Sequence, residues 1–190
     1  MKYKNVLSID LDYAKSPEQQ IKIIDIFCNI LQTKSEIYFV QTHHSVLDFL
    51  SEPIHLYNID DHHDIGYGPD PLNYLLDKKC GVREGNWILH CIISGIVKKY
   101  TWIGNIDSQF IYEHISKPVR ELEYFKKTFD LSAINFVDFD KVFICESQDY
   151  LASGAFLFEA LKVLHKNFKG DIKTPNIPNE HRELDFKYEI

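Results

Sequence analysis

Four short apolar runs, each followed within a few residues by acidic groups or histidines, constrain this chain more than any other feature. Residues 5–11 (Asn-Val-Leu-Ser-Ile-Asp-Leu), 37–40, 54–59 and 141–145 read as strands, the first nearly continuous in its apolar character, as a central strand buried on both faces must be. Between them lie helical patterns. Ser16-Pro17-Glu18-Gln19 gives a cap, a first-turn proline and a capping box, and Ile21, Ile24, Phe27, Cys28 and Leu31 follow at helical spacing. Ser45 and Asp48 start a short helix, Asp70-Pro71 opens another, and residues 87–99 form an amphipathic helix for which Asn86 is the cap. Residues 100–103 are a further strand, residues 107–128 are mostly helical with a break near Pro118, and a last helix covers about 152–165. This alternation predicts an α/β three-layer sandwich with a mostly parallel central sheet. It occupies a single domain, residues 1–168, followed by a polar tail, 169–190, carrying Pro175 and Pro178.

The polar residues that close the runs are of one chemical kind. Asp10 and Asp12 follow the first strand, His44 the second, Asp60, His62 and Asp64 the third, and Glu146 the last. Residues two apart in an extended segment share a face, so Asp10 pairs with Asp12, and Asp60, His62 and Asp64 line up together. Five of the nine histidines fall between His43 and His63. In open α/β sheets, sites form outside the carboxyl ends of the strands, where all these groups converge. Four carboxylates and two imidazoles suit two divalent ions sharing carboxylate ligands, roughly 3.5–4 Å apart. Oxygen-rich, thiol-free ligation favours manganese.

Composition narrows the partners. With 190 residues and a net charge of −7, the chain is a poor match for nucleic acid and a good one for a cationic substrate or peptide. The four cysteines show no Cys-x-x-Cys spacing, the N-terminus lacks a signal-peptide pattern, and no run approaches a membrane span. A cytoplasmic, soluble protein is expected, and a homo-oligomer would give the tail a surface to rest on.

Ser8-Ile9-Asp10-Leu11-Asp12 resembles the Ser-x-Asp-x-Asp motif of the arginase/ureohydrolase family. Thr42-His43-His44-Ser45 is similar to its Gly-Asp-His-Ser, and residues 60–64 to its Asp-Ala-His-x-Asp. In that family the Ser-x-Asp-x-Asp strand comes after the other two motifs, whereas here it opens the chain, and this chain is markedly shorter. The pattern looks like the small atypical arginases that convert arginine to ornithine within ribosomally made peptides during natural-product maturation. The resemblance implies that His44, Asp60, Asp64 and Asp10 hold one manganese and His62, Asp60, Asp10 and Asp12 the other. It makes Glu146, following a strand that lies between the first two, the partner of the substrate guanidinium. It also implies a histidine that protonates the leaving amine, with His90, His63 and His43 as candidates, and an arginine-containing precursor peptide as substrate.

Two other enzyme readings and one non-enzyme reading compete. An apolar strand ending in Asp10-x-Asp12 is also what a haloacid-dehalogenase-type, magnesium-dependent phosphatase uses, but it leaves His44 and His62 without a role. A single-zinc deacylase needs fewer carboxylates. A metal-dependent module that only binds peptide would have no open position for water. Asp61 and His63 are expected to point away from the ions as supporting partners, Tyr13 and Tyr67 to line a groove or wall, and Trp87 and Trp102 to belong to the core.

Overall fold

The computed structural model describes residues 3–66, 81–108, 117–135, 137–147 and 152–172. Six strands, β1 (Lys4–Asp10), β2 (Glu36–Val40), β3 (Ile54–Ile59), β4 (Val97–Ile103), β5 (Tyr124–Thr128) and β6 (Lys141–Cys145), form one sheet in the order β2-β6-β1-β3-β4-β5. Every pairing is parallel. A parallel sheet must be covered on both faces, and two buried clusters do this. On one face α1 (Pro17–Leu31) and α4 (Ala152–Lys169) lay Ile23, Phe27, Leu157 and Leu161 against Leu7, Ile9, Phe39 and Ile144. On the other, α2 (Trp87–Ile93) lays Trp87, Ile88, Cys91 and Ile92 against Val6, Leu56, Tyr100 and Phe143, beside the short α3 (Lys117–Arg120), which contributes Val119. The three-layer α/β sandwich follows. β1 lies at its centre because Val6, Leu7, Ser8 and Ile9 are buried whichever face they point to.

Local chemistry explains most of the boundaries. At the start of α1, the Ser16 hydroxyl accepts from the Gln19 N–H while the Gln19 side chain accepts from the Ser16 N–H, so two of the helix's otherwise unmatched donors are satisfied. Where the sequence suggests one helix over 87–99, α2 stops at Ile93 and β4 begins at Val97. Gly95 is the reason: at φ +73° it takes the left-handed turn, its N–H donating to Ile92 O at 3.0 Å and the Ile96 N–H to Cys91 O at 2.9 Å. Asn86 does not cap α2 with its side chain. It accepts instead from the Arg83 N–H at 2.7 Å and donates to Gly81 O at 3.3 Å, folding the turn ahead of the helix.

The region read as mostly helical, 107–128, holds α3 and then β5, an edge strand whose Lys126 and Lys127 obscure it in the sequence. The expected helix opened by Asp70-Pro71 falls outside the described residues, as do Tyr67 and most of the polar tail. Among the described residues no helix is long and apolar enough to cross a membrane.

The strand order has one consequence for the site. β6 lies between β2 and β1, with Cys145 opposite Asp10 on one side and Val40 on the other. Glu146 therefore emerges between the exits of β1 and β2.

A candidate metal centre at the strand ends

The centre forms where β1, β2 and β3 run out. β1 ends at Asp10, and a single 3-10 turn, Leu11–Tyr13, brings Asp12 alongside it. β3 ends at Ile59 and delivers Asp60, after which the chain bends through residues 61–66. Three carboxylates are held in one manner: one oxygen is tied to a backbone N–H, and the other is presented inward. Asp10 Oδ1 accepts from the Asp12 N–H at 3.2 Å, Asp60 Oδ1 from the His62 N–H at 2.7 Å, and Asp12 Oδ1 from the Asp61 N–H at 3.4 Å. The presented oxygens meet two imidazoles.

The first imidazole belongs to His43. Its Nδ1 stands 3.1 Å from Asp10 Oδ2, 3.3 Å from Asp60 Oδ2 and 3.1 Å from Asp64 Oδ2, while the residue is only 1 % exposed. A neutral ring nitrogen carries at most one proton and cannot serve three oxygens; no hydrogen bond of good geometry satisfies it. Its Nε2 lies 2.6 Å from the Ser8 hydroxyl. With Nε2–H donating to Ser8, the Nδ1 lone pair faces the carboxylates, an arrangement that needs a cation between them or a second proton on the ring. The second imidazole is that of half-exposed His62, whose Nδ1 is 2.8 Å from Asp12 Oδ2 and 3.8 Å from Asp60 Oδ1. Two candidate ligand groups result, Asp10–His43–Asp60 and Asp12–Asp60–His62, in each of which the ligand atoms lie within 4.8 Å of one another. Asp60 belongs to both.

Protonation follows the crowding. Burial pushes the Asp60 carboxyl well above the ordinary carboxylate range, and Asp64 and Asp10 push it further. Burial likewise raises Asp12, with His62 opposing and Asp10 adding. Burial alone would lower His43, but its contacts with Asp10, Asp60 and Asp64 override this and hold it well above its usual value. The close approach of the Asp12 carboxylate raises His62. Every shift is toward holding protons, as expected of a cluster with more negative charge than its own cations balance. Divalent ions would remove that need, so the donor set fits them.

The loop that carries Asp60 and Asp64 is clamped by aromatic donors from elsewhere in the chain. Trp102 Nε1 donates to Asp60 O at 3.0 Å, the Tyr100 hydroxyl to His63 O at 2.8 Å, and Trp87 Nε1 to Asp64 Oδ2 at 2.7 Å. Trp87 and Trp102 are core residues, as the sequence suggests, but each also spends its one polar atom on this loop. Asp64 sits at φ +51°, a left-handed conformation that costs a side-chain-bearing residue energy. The strain has a return: the Asp64 carboxylate faces His43 while its carbonyl accepts the Ile88 N–H of α2 at 3.1 Å. Asp61 points away, paired with Lys15 and accepting from Asn105 Nδ2 and the Ser108 hydroxyl, each at 3.0 Å.

Of the six residues expected to ligate, Asp10, Asp12, Asp60 and His62 fall in the two groups, and Asp64 reaches His43 from beside them. Where His44 is expected, the imidazole that stands among these carboxylates is that of the neighbouring His43, and His44 is in neither group. The cause is the turn after β2. Thr42 is still extended, the 3-10 segment His43–Phe49 begins at once, and the Ser45 N–H closes it onto Thr42 O at 3.1 Å. The first histidine of the pair is thus turned inward.

The other candidates occupy different places. His63 is buried with its ring perpendicular to that of Trp102, its Nδ1 accepting from the Ile65 N–H at 3.2 Å; burial holds it down to about 4, so it is neutral. His90 is buried in α2 with Nε2 3.2 Å from the Ser94 hydroxyl one turn on, and burial lowers it too. Neither is in the ligand groups. Glu146 is buried at the end of β6, its N–H donating to Val40 O at 3.0 Å.

Sequence reading gave no role to Ser8, Asn58 or Glu84. The first two continue the period-two pattern: Ser8 stands two residues before Asp10, and Asn58, two before Asp60, donates to Asp60 Oδ2 at 3.0 Å. Ser8→Ala removes the group that orients His43, and ion affinity is expected to fall about 10- to 100-fold, the usual cost of losing such a partner. A chelator-competition titration reads this directly; unchanged affinity would deny Ser8 that role.

Compared with family models, with curated proteins and with solved structures, the chain matches none.

Proposed function

We propose that this protein is a binuclear manganese hydrolase that converts peptidyl-arginine to peptidyl-ornithine and urea, acting on an arginine-containing precursor peptide. One observation carries the reading: Asp60 is shared by two Asp/His ligand groups that converge at the ends of parallel strands, with Glu146 emerging beside them. His43 takes the part the motif resemblance gave to His44. One ion would be held by His43, Asp10, Asp60 and Asp64, and the other by His62, Asp12, Asp60 and Asp10.

When bound, two such ions supply Lewis acidity and ionise water near neutral pH. The chain's own residues do the rest. Glu146 pairs with the guanidinium and orients its carbon toward the cluster. Asp10, Asp12, Asp60 and Asp64 make a negative field that favours a cationic side chain over a neutral one. Water adds to the guanidinium carbon, the bond from that carbon to the side-chain nitrogen breaks, and the amine leaves protonated while urea departs. His43 is a ligand in this scheme rather than a proton carrier, since Nε2 is engaged by Ser8 and Nδ1 faces the carboxylates.

The reading is tested by incubating the manganese-loaded protein with an arginine-containing peptide and, separately, with free arginine. The expected result is a mass loss of about 42 Da per converted arginine in the peptide, with urea released. Release of phosphate from a phosphoester, with no change in the peptide, would replace it by the phosphatase reading.

A further inference from the structure

Glu84 belongs to neither ligand group, yet it faces them. It opens the 3-10 turn Glu84–Asn86 that leads into α2, and its Oε1 accepts from the His43 N–H at 3.4 Å. At that distance the bond is weak. Its charge is felt by Asp10, His43 and Asp64, and by the buried thiol of Cys145. Cys145 immediately precedes Glu146, whose own N–H is fixed to Val40 O. The Glu146 backbone and the Glu84 carboxylate thus both bind the chain around the exit of β2, one arriving from the end of β6 and the other from the turn ahead of α2.

A guanidinium is planar, permanently charged and carries five N–H donors, so it offers more than one edge to a carboxylate. A single glutamate satisfies one edge. We propose that Glu84 is a specificity-determining residue, its carboxylate taking the second edge of the substrate guanidinium while Glu146 takes the first. The site would thereby select a planar, doubly engaged cation over a neutral ureido group of the same shape. This inference rests on the peptidyl-arginine reading and adds to it a residue that no sequence motif marks.

Glu84→Gln keeps the shape and one oxygen for the His43 N–H but removes the charge, and Glu84→Asp keeps the charge on a shorter arm. With manganese-loaded full-length protein, Glu84→Gln is expected to raise KM for an arginine peptide about tenfold or more, as loss of one charged contact does. Its kcat should change far less, with ion content and Tm as in the wild type. Glu84→Asp should recover part of the loss. In calorimetric titrations, the preference for an arginine peptide over the matched citrulline peptide should shrink by a similar factor. An unchanged KM with an unchanged binding preference would make Glu84 a bystander, and loss of bound manganese would make it a ligand; either overturns the assignment. Absence of urea from the wild type would instead overturn the hydrolase reading, and the arginine-to-citrulline binding ratio would still decide Glu84.

Discussion

Asp60→Asn is expected to weaken both ion sites at once and, in the ion-free protein, to raise the melting temperature. The two effects have one cause. Asp60 is 1 % exposed, and its carboxyl is driven well above the ordinary range by burial and by Asp64 and Asp10. A buried charge of this kind is a cost to the fold that only a cation offsets. Asparagine is nearly the same size, keeps an oxygen for the His62 N–H and carries no charge, so the ion-free fold loses a repulsion. The metal centre loses the one residue common to both ligand groups. Ion content should fall from about two per chain to one or none, and turnover by at least about 10²–10³-fold, the scale on which removing one preorganised electrostatic partner lowers kcat. Elemental analysis and paired melts, with manganese and with chelator, measure both. A variant that binds two ions with wild-type affinity would show that Asp60 is not shared between them.

Chelation of the wild type should produce the second large effect, and its pH dependence has a definite sign. At an ion concentration about a thousand times Kd, one site contributes about 4 kcal/mol to stability. For a chain of this size each kcal/mol moves Tm by roughly 2–4 °C, so two such sites open a gap of roughly 15–30 °C between loaded and stripped protein near pH 8. In the stripped protein Asp12, Asp60, His43 and His62 all have values raised above those of the unfolded chain, 3.8 for the aspartates and 6.5 for the histidines. For such groups the folded state binds more protons, so their contribution is fully present below the unfolded values and is lost as pH rises through the folded ones. Lowering the pH from 8 toward 5.5 therefore helps the stripped protein. It also sets protons against ions at the same ligands in the loaded one. The gap should narrow steadily toward acid. His63, lowered by burial, changes both forms in the same sense and largely cancels from the difference. A gap that stayed constant or widened toward acid would contradict the assignment of these four residues to the ion sites.

Much of this centre is legible in the sequence because a strand has a period of two. Asp10 with Asp12, and Asp60 with His62 and Asp64, lie at spacings that put them near one another whatever the details of the loops, and the topology of a parallel sheet gathers strand ends at one edge. The pattern fails where the backbone leaves the strand. Two adjacent histidines follow β2, and the choice between them depends on a 3-10 turn that starts at His43, one residue earlier than a continued strand would suggest. Contacts across the chain are equally invisible to local reading. Trp87 reaches Asp64 from α2, and Trp102 reaches the Asp60 carbonyl from β4, distances in sequence over which no periodicity carries information. The overlong helix at 87–99 is a different kind of error. Ser94-Gly95 is a stop signal inside an apolar stretch whose helical period continues past it. At the opposite edge, β5 was hidden by Lys126 and Lys127, charges that suit an edge strand and mask its pattern.

A crystal grown with manganese and recorded at its absorption edge would test the central claim most directly. The expected anomalous map has two peaks per chain, roughly 3.5–4 Å apart. One should lie against His43 Nδ1 and the other against His62 Nδ1, with Asp60 between them. A single peak, two peaks that do not share Asp60, or none would contradict the binuclear centre.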